Sequence, residues 1–358
     1  CWGRNSFGQL GIGSTTQQTT PQTVNLGTGR TAVSVSSGLR HTCAILDDAS
    51  LKCWGYNNYG QLGIGTTIQQ TTPQFVNLGT GRTAVSVSLG QSHTCAILDN
   101  ASLKCWGEGG QGRLGIGSTD DHSTPQTVDL GTGRTAVSVS SGRYHTCAIL
   151  DDTSLKCWGD GGQGQLGIGT SIQQTTPQIV DLGVGRTAVS VSLGDWHTCA
   201  ILDDTSLKCW GQNSYGQLGI GVESKHYTPI EPNIEVGELW ADLSLGSSDT
   251  CGLLNNGSVK CWGWNWNGQL GIGSTTDQNT PQFVNMSTEY TAVSISAGWT
   301  SSCLITNNSS LMCWGSNNYG QLGLGSTTQQ TTPQFVNLGV GRTAVSVSLG
   351  QYHTCAIL

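Results

Sequence analysis

The tripeptide Cys-Trp-Gly begins at Cys1, Cys53, Cys105, Cys157, Cys209, Cys261 and Cys313, so every interval is 52 residues and none carries an insertion. Seven such units run six residues past the 358 of the chain. The shortfall falls at one place. The chain stops at Leu358 within His-Thr-Cys-Ala-Ile-Leu, a segment followed elsewhere by six residues such as Asp47 to Lys52 and then by Cys-Trp-Gly. The two ends therefore read as halves of one repeat, interrupted at a hairpin turn. Within a unit, Ala32 to Ser36 alternates with period two, and His41–Leu46 and Leu51–Gly55 are further apolar-rich runs. Thr20 to Leu26 carries Pro21 at its start, as an edge strand allows. No window has helical periodicity, and glycine, 52 of 358 residues, marks the turns. A repeat of about 50 residues that is β throughout is a propeller blade. The expectation is one all-β domain over 1–358, a seven-bladed propeller of four-stranded antiparallel blades. Its ring closes by pairing the N- and C-terminal strands. Ser and Ala on one side of the first strand allow close blade contact, with Val33 and Val35 filling the other side.

Cysteine bears on the compartment. All fourteen fall in the pattern Cys-x9-Cys: Cys43/Cys53, Cys95/Cys105, Cys147/Cys157, Cys199/Cys209, Cys251/Cys261, Cys303/Cys313, and Cys355/Cys1 across the interrupted repeat. Each pair flanks a short turn, so the two residues face one another on adjacent strands, as a disulfide requires. A closed loop of about 11 residues would contribute roughly 2–3 kcal/mol. Free buried thiols and zinc are the other uses of such pairs. Zinc prefers closer spacing converging on one ion, so no metal is expected. Disulfides imply an oxidising compartment, secreted or at a cell surface. With no starting Met or signal peptide, the chain reads as a processed product or part of something larger.

Charge excludes further classes. Net charge is -7 with only 10% charged residues, which lacks the basic stripe of a nucleic-acid binder. No apolar run approaches the ~20 residues needed to span a membrane. Asn100, Asn256, Asn285, Asn307 and Asn308 stand in Asn-x-Ser patterns for N-glycosylation.

The unit Gly38-Leu39-Arg40-His41-Thr42-Cys43, then Cys53-Trp54-Gly55 and Asn57-Asn58-Tyr59-Gly60-Gln61-Leu62-Gly63, resembles the regulator of chromosome condensation repeat, seven times over the whole chain. The resemblance implies a seven-bladed propeller. That family includes a nucleotide exchange factor, a secreted inhibitor of β-lactamase and modules of large extracellular proteins. The exchange-factor role implies irregular loops and a basic tail, neither of which this sequence has.

No residue set stands out as catalytic, and no cofactor is implied. His41, His93, His145, His197 and His353 share one repeat position, where Asp249 and Ser301 replace them. Residues in separate blades do not converge on a metal, so these histidines are expected to tie neighbouring blades. Gly11-Ile12-Gly13 and its copies lack the lysine and helix of a phosphate loop. Asp47/Asp48, Asp151/Asp152 and Asp203/Asp204 suit hairpin turns. Arg30, Arg82, Arg134, Arg186 and Arg342 should meet such turns in weak surface pairs. The tryptophans of Cys-Trp-Gly should pack the blades. The fifth repeat departs most, from Val222 to Trp240, through drift or as a contact edge.

Two segments vary between otherwise matching repeats: the pair before the histidine position and the four residues after Trp-Gly. In a four-stranded meander these are the first and third loops, which leave from one edge. One face of the disc therefore gathers Tyr56, Tyr59, Tyr144, Trp196, Tyr215, Trp264, Trp266, Trp299, Tyr319 and Tyr352. Aromatic residues on an exposed face are the usual anchors of recognition. The expectation is a non-catalytic extracellular propeller that binds a protein or glycan through this face, or a structural subunit of a self-assembling filament, coat or adhesin array.

Overall fold

The computed structural model describes residues 1–358 as seven antiparallel sheets. Blade I runs from an inner strand, Ala32–Ser37, through His41–Leu46 and Leu51–Gly55 to an outer strand, Gln70–Phe75. Five further sheets repeat this order, with inner strands beginning at Ala84, Ala136, Ala188, Trp240 and Ala292 (blades II to VI). Blade VII joins the two ends of the chain, with Ser346–Leu349 and His353–Ile357 followed by Trp2–Gly3. One 3-10 turn, Gly110–Gly112, is the only helical element.

Three local expectations are corrected. The outer strand starts earlier than the proline suggests, so that Pro73 lies inside Gln70–Phe75. The pairing Gly55↔Gln70 and Cys53↔Gln74 contains a bulge. On the outer edge a proline need not break the ladder, because its missing N–H can face away from the sheet. In blade VII the matching stretch, Thr20 to Leu26, forms no strand; only a Gly3–Gln18 bridge and bonds between Cys1 and Gln22 mark its place. Val33, expected to fill the blade, is 61% exposed, because pairing jumps from Ala32↔Leu46 to Ser34↔Ile45 and leaves it in a bulge. The Val35 position does pack, as Val87 and Val139 do against the cores between blades.

The blades are held by a repeated set of buried polar bonds. At the I/II interface, His41 Nε2 lies 2.9 Å from Thr94 Oγ1, and Thr94 Oγ1 donates to the Gln61 carbonyl at 2.8 Å. The same carbonyl accepts from Trp106 Nε1 at 3.0 Å. The threonine proton is committed to that carbonyl, so the histidine must be the Nε2–H tautomer, donating to the threonine. Five interfaces repeat this arrangement. All seven keep the tryptophan bond. Gly63, at φ +72°, makes this approach possible: a Cβ there would sit 2.5 Å from Trp106 Nε1.

Each cysteine pair sits opposite in register, as Cys43↔Cys53, and the structure contains seven disulfides with no free cysteine. Cys1–Cys355 links residues 354 apart, across the seam where the ring closes.

Blade V departs in a coordinated way. Trp240 takes the place of Ala84 and its counterparts and is 2% exposed. Gly252 takes the place of Ala96. A Cβ on Gly252 would overlap the Trp240 ring, so one residue shrinks where its neighbour grows. Lys260 turns to Glu235 and Glu238 rather than to a carbonyl.

Candidate recognition face

The two variable loops meet in every blade through one backbone bond. Tyr56 N donates to the Arg40 carbonyl at 2.9 Å, and Arg4, Glu108, Asp160, Gln212, Trp264 and Ser316 repeat it with their own partners. The invariant backbone thus carries seven different pairs of loops to one face.

The aromatic candidates fall into three groups. Tyr56 packs on Tyr59 and on Phe7, with centroids 6.3 and 5.0 Å apart. Tyr352 packs on Tyr319 at 5.0 Å and Trp299 at 5.4 Å. Two arginines join these sets into one arc over blades VI, VII and I. Arg4 lies 5.1 Å from the Tyr319 ring and 5.9 Å from Phe7, and Arg40 lies 5.1 Å from Phe7 and 5.9 Å from Tyr56. Such stacking is worth about 0.5–1 kcal/mol at exposed sites. Burial, with Tyr319 beside it, raises the Tyr352 phenol above its usual range. A second group is Tyr144 on Trp196 at 4.4 Å, flanked by Arg143 and Arg113. The third is Tyr215, Trp264 and Trp266. Only Trp266, at 67%, and Tyr59, at 37%, are exposed; the other eight candidates are half-buried.

Arg4, Phe7 and Arg40 were not among the aromatic anchors expected from sequence. Their positions carried the signal, since Phe7 stands where Tyr59 and Tyr319 stand, and Arg40 where Tyr352 stands. Arg113 was also missed. It replaces the glutamine of Gln-Leu-Gly and is buried against Glu108 at 2.9 Å.

At the channel mouth, two or three residues from each blade meet around a cavity of about 140 Å³ ringed by glycines such as Gly90 and Gly194. A chain of bonds crosses it. Arg143 donates to Gln91 at 2.8 Å and to Asp195 at 2.9 Å, and Trp299 Nε1 donates to Asp195 at 3.1 Å. Burial raises the Asp195 carboxyl and Arg143 partly offsets it. Both charges are thereby internally paired. Arg4 and Arg40, in contrast, are in no ion pair, whereas Arg113 and Arg143 are.

The expected turn contacts form at the opposite end of the blades for Arg30, Arg82, Arg134 and Arg186, whereas Arg342 makes none. Arg30 meets Asp47 and Asp48, and Arg134 meets Asp151 and Asp152, all with exposed or half-exposed side chains. No group of three His, Cys, Asp or Glu side chains gathers as a metal site.

Residues 1–356 match the family model of the RCC1-like domain. The ultraviolet-B receptor UVR8 of Arabidopsis thaliana is 30% identical over 336 residues, covering 94% of this chain and 76% of the receptor. The E3 ubiquitin-protein ligase HERC2 of Homo sapiens is 29% identical over an aligned length of 361, covering 99% of this chain but 7% of the ligase. Among solved structures, Prp20p from Saccharomyces cerevisiae, characterised with its binding to Gsp1p and histones, has a TM-score of 0.88 at 20% identity. It covers 99% of this chain and 90% of its own. That likeness is one of fold.

Proposed function

From the premise that the chain belongs to the RCC1-like domain family, we propose that it is a non-catalytic binding propeller whose partner is a protein presenting carboxylates to the Arg4–Arg40 arc. One observation carries the reading. On the face where the blades differ, two guanidiniums lie among four aromatic rings with no acidic residue to pair them. Arg, Tyr and Trp are the residues that dominate interface energetics, and an arginine fork suits a carboxylate. The relatives support a binding role in general terms. Prp20p is described through its binding to Gsp1p and histones, and UVR8 as a receptor.

The seven cystine pairs favour an oxidising site of action, secreted or at a cell surface. The rim favours a binder over a self-assembling subunit. Its outer strands carry prolines such as Pro73 and Pro177 among Gln and Thr, which blunts strand addition at the edge.

The test uses a labelled poly-glutamate peptide as probe, titrated into the oxidised protein. The double substitution Arg4→Ala/Arg40→Ala should weaken binding by about 10-fold or more, and added salt should weaken it in the unsubstituted protein. Arg30→Ala/Arg134→Ala, at the other end of the blades, should leave it unchanged. Equal affinity in both variants would remove the arc as the binding site. Binding of a neutral glycan that survives loss of both arc arginines would replace the acidic partner with a carbohydrate.

A further inference from the structure

Three aromatic groups stand on the variable face, and two of them are already met by cations of this chain. Arg4 and Arg40 lie over rings of the arc, and Arg113 and Arg143 lie over Tyr144. The third group, Tyr215 with Trp264 and Trp266, has no such cation. Its ring centroids are 6.1 Å apart at both contacts, with planes inclined at 43° and 56°. The rings therefore splay instead of stacking flat, and Trp266 is 67% exposed. Lys225, on the neighbouring segment, lies over Tyr227 at 5.4 Å and not over this group.

Carboxylates stand where the other groups have arginines. Asn265, between the two tryptophans, holds the segment that bears Asp277. Its Nδ2 donates to the carbonyls of Ser274 and Thr276, both at 3.0 Å, and its backbone N–H donates to Asp277 Oδ1 at 2.8 Å. Asn213 makes a similar clamp beside Tyr215, donating to the Val222 carbonyl at 2.6 Å, and so fixes the segment that bears Glu223. The two acids are neighbours: burial raises the Asp277 carboxyl, the Asn265 N–H opposes the rise, and the charge of Glu223 adds to it. Neither is in an ion pair. The same residues depart from the repeat. Trp266 stands where the other blades have Ser, Gly or Asn, and Glu223 where they have Thr or Ser. Asp277 replaces the glutamine of Gln17, Gln69, Gln173 and Gln329. The irregular stretch that begins at Val222 thus brings a charge to the one aromatic group without a cation.

We propose that Tyr215, Trp264, Trp266, Asp277 and Glu223 form a second recognition site, which takes a lysine or arginine side chain of a protein partner. The cation lies against the ring faces, where the π quadrupole attracts it, and the two carboxylates neutralise it. The site rests on the function proposed above only in that the partner is a protein; its chemistry does not depend on the arc. Together, the arc and this group place opposite demands on different blades of one face. A partner must then present acidic and basic residues in a fixed order, and a reversed orientation sets like charges together.

The probe is a tetra-lysine peptide, acetylated and amidated at its ends, titrated by calorimetry into the oxidised protein. Trp266→Leu and Glu223→Gln/Asp277→Asn should each weaken binding by about 5-fold or more. Neither threatens the fold, since Trp266 and Glu223 are exposed and an asparagine at 277 keeps the acceptor for the Asn265 N–H. Glu231→Gln/Glu289→Gln removes two exposed charges at the other end of the blades and should leave binding unchanged. Arg4→Ala/Arg40→Ala should not weaken it, so failure of the arc and failure of this site are read separately. No binding by the unsubstituted protein would overturn the proposal. Equal weakening by the two charge variants would also overturn it, leaving only attraction to a protein of net charge -7. Weakening by the acid variant with full affinity in Trp266→Leu would remove the rings from the site. Dimers of the unsubstituted protein that Glu223→Gln/Asp277→Asn dissolves would overturn a separate partner and assign the site to arginines of a second copy.

Discussion

Interfaces I/II and V/VI share a frame and close with different chemistry. In both, a tryptophan indole donates to a loop carbonyl, Trp106 to Gln61 and Trp314 to Gln269. In both, a hydroxyl does the same, from Thr94 or Ser302. At I/II a neutral histidine then donates to the hydroxyl. At V/VI the same position holds Asp249, fully buried with neither carboxylate oxygen bonded. The tryptophan and hydroxyl bonds are thus enough to set the blade geometry, and the histidine is a separable addition. The two side chains also oppose each other in their response to protons, which makes the comparison testable.

The largest effect belongs to the histidines. Burial lowers His41, His145, His197 and His353 from 6.5 to about 3, and His93 well below its usual value, with Arg113 facing it. The folded state therefore binds fewer protons than the unfolded chain between these values. The stability of these interfaces is fully present above pH 6.5 and is lost as pH falls toward 3. Each histidine adds a slope of about 1.4 kcal/mol per pH unit across that window. Five together should unfold the protein well before pH 3. Urea unfolding of the oxidised protein across this range measures the slope, and His197→Ser should lower it by one proton. An unchanged slope would mean that His197 is already solvated and that the two interface types do not differ in this way.

Asp249 should behave in the opposite sense. Burial raises its carboxyl well above 3.8, and Asp195 adds to the rise. Its contribution is fully present below pH 3.8 and is lost as pH climbs through the raised value. At pH 7 the substitution Asp249→Ser, which copies Ser301 of blade VI, should therefore stabilise by about 1–3 kcal/mol. The gain should shrink toward zero at low pH. A loss of stability at pH 7 would show that the carboxyl has partners when the protein is in water, and would remove the contrast with His41.

Both interfaces show what could be read in advance. Repetition exposed the fold, since each interval repeats a complete blade, and the tie between blades was legible because five histidines shared a position. Substitutions that act in pairs were not legible. Trp240 reads as drift until Gly252 is seen beneath its ring. Val33 keeps the alternating pattern of a buried strand, yet a bulge turns it outward. Pro73 marks an edge strand but not its register. That the two variable loops share one edge was legible, because they are the first and third loops of a meander. The arginines on that edge were passed over because each occupies a position held by an aromatic residue in another blade, and only side-chain packing joins Arg4 and Arg40 into one arc.

The smallest effect extends the comparison to the surface. Arg82 pairs with Asp99 at 3.2 Å, and both side chains are about 40% exposed, at 42% and 36%. Arg342 occupies the same repeat position and makes no ion pair. An exposed pair gains little Coulomb energy in water and holds two mobile side chains in place. Arg82→Ala should therefore cost about 0.5 kcal/mol or less, and the cost should disappear in 1 M salt. Arg342→Ala should leave the urea midpoint unchanged at either ionic strength. Identical small costs for the two, insensitive to salt, would attribute the effect to packing of the arginine stem. The turn contacts would then be as independent of charge as the tryptophan bonds they surround.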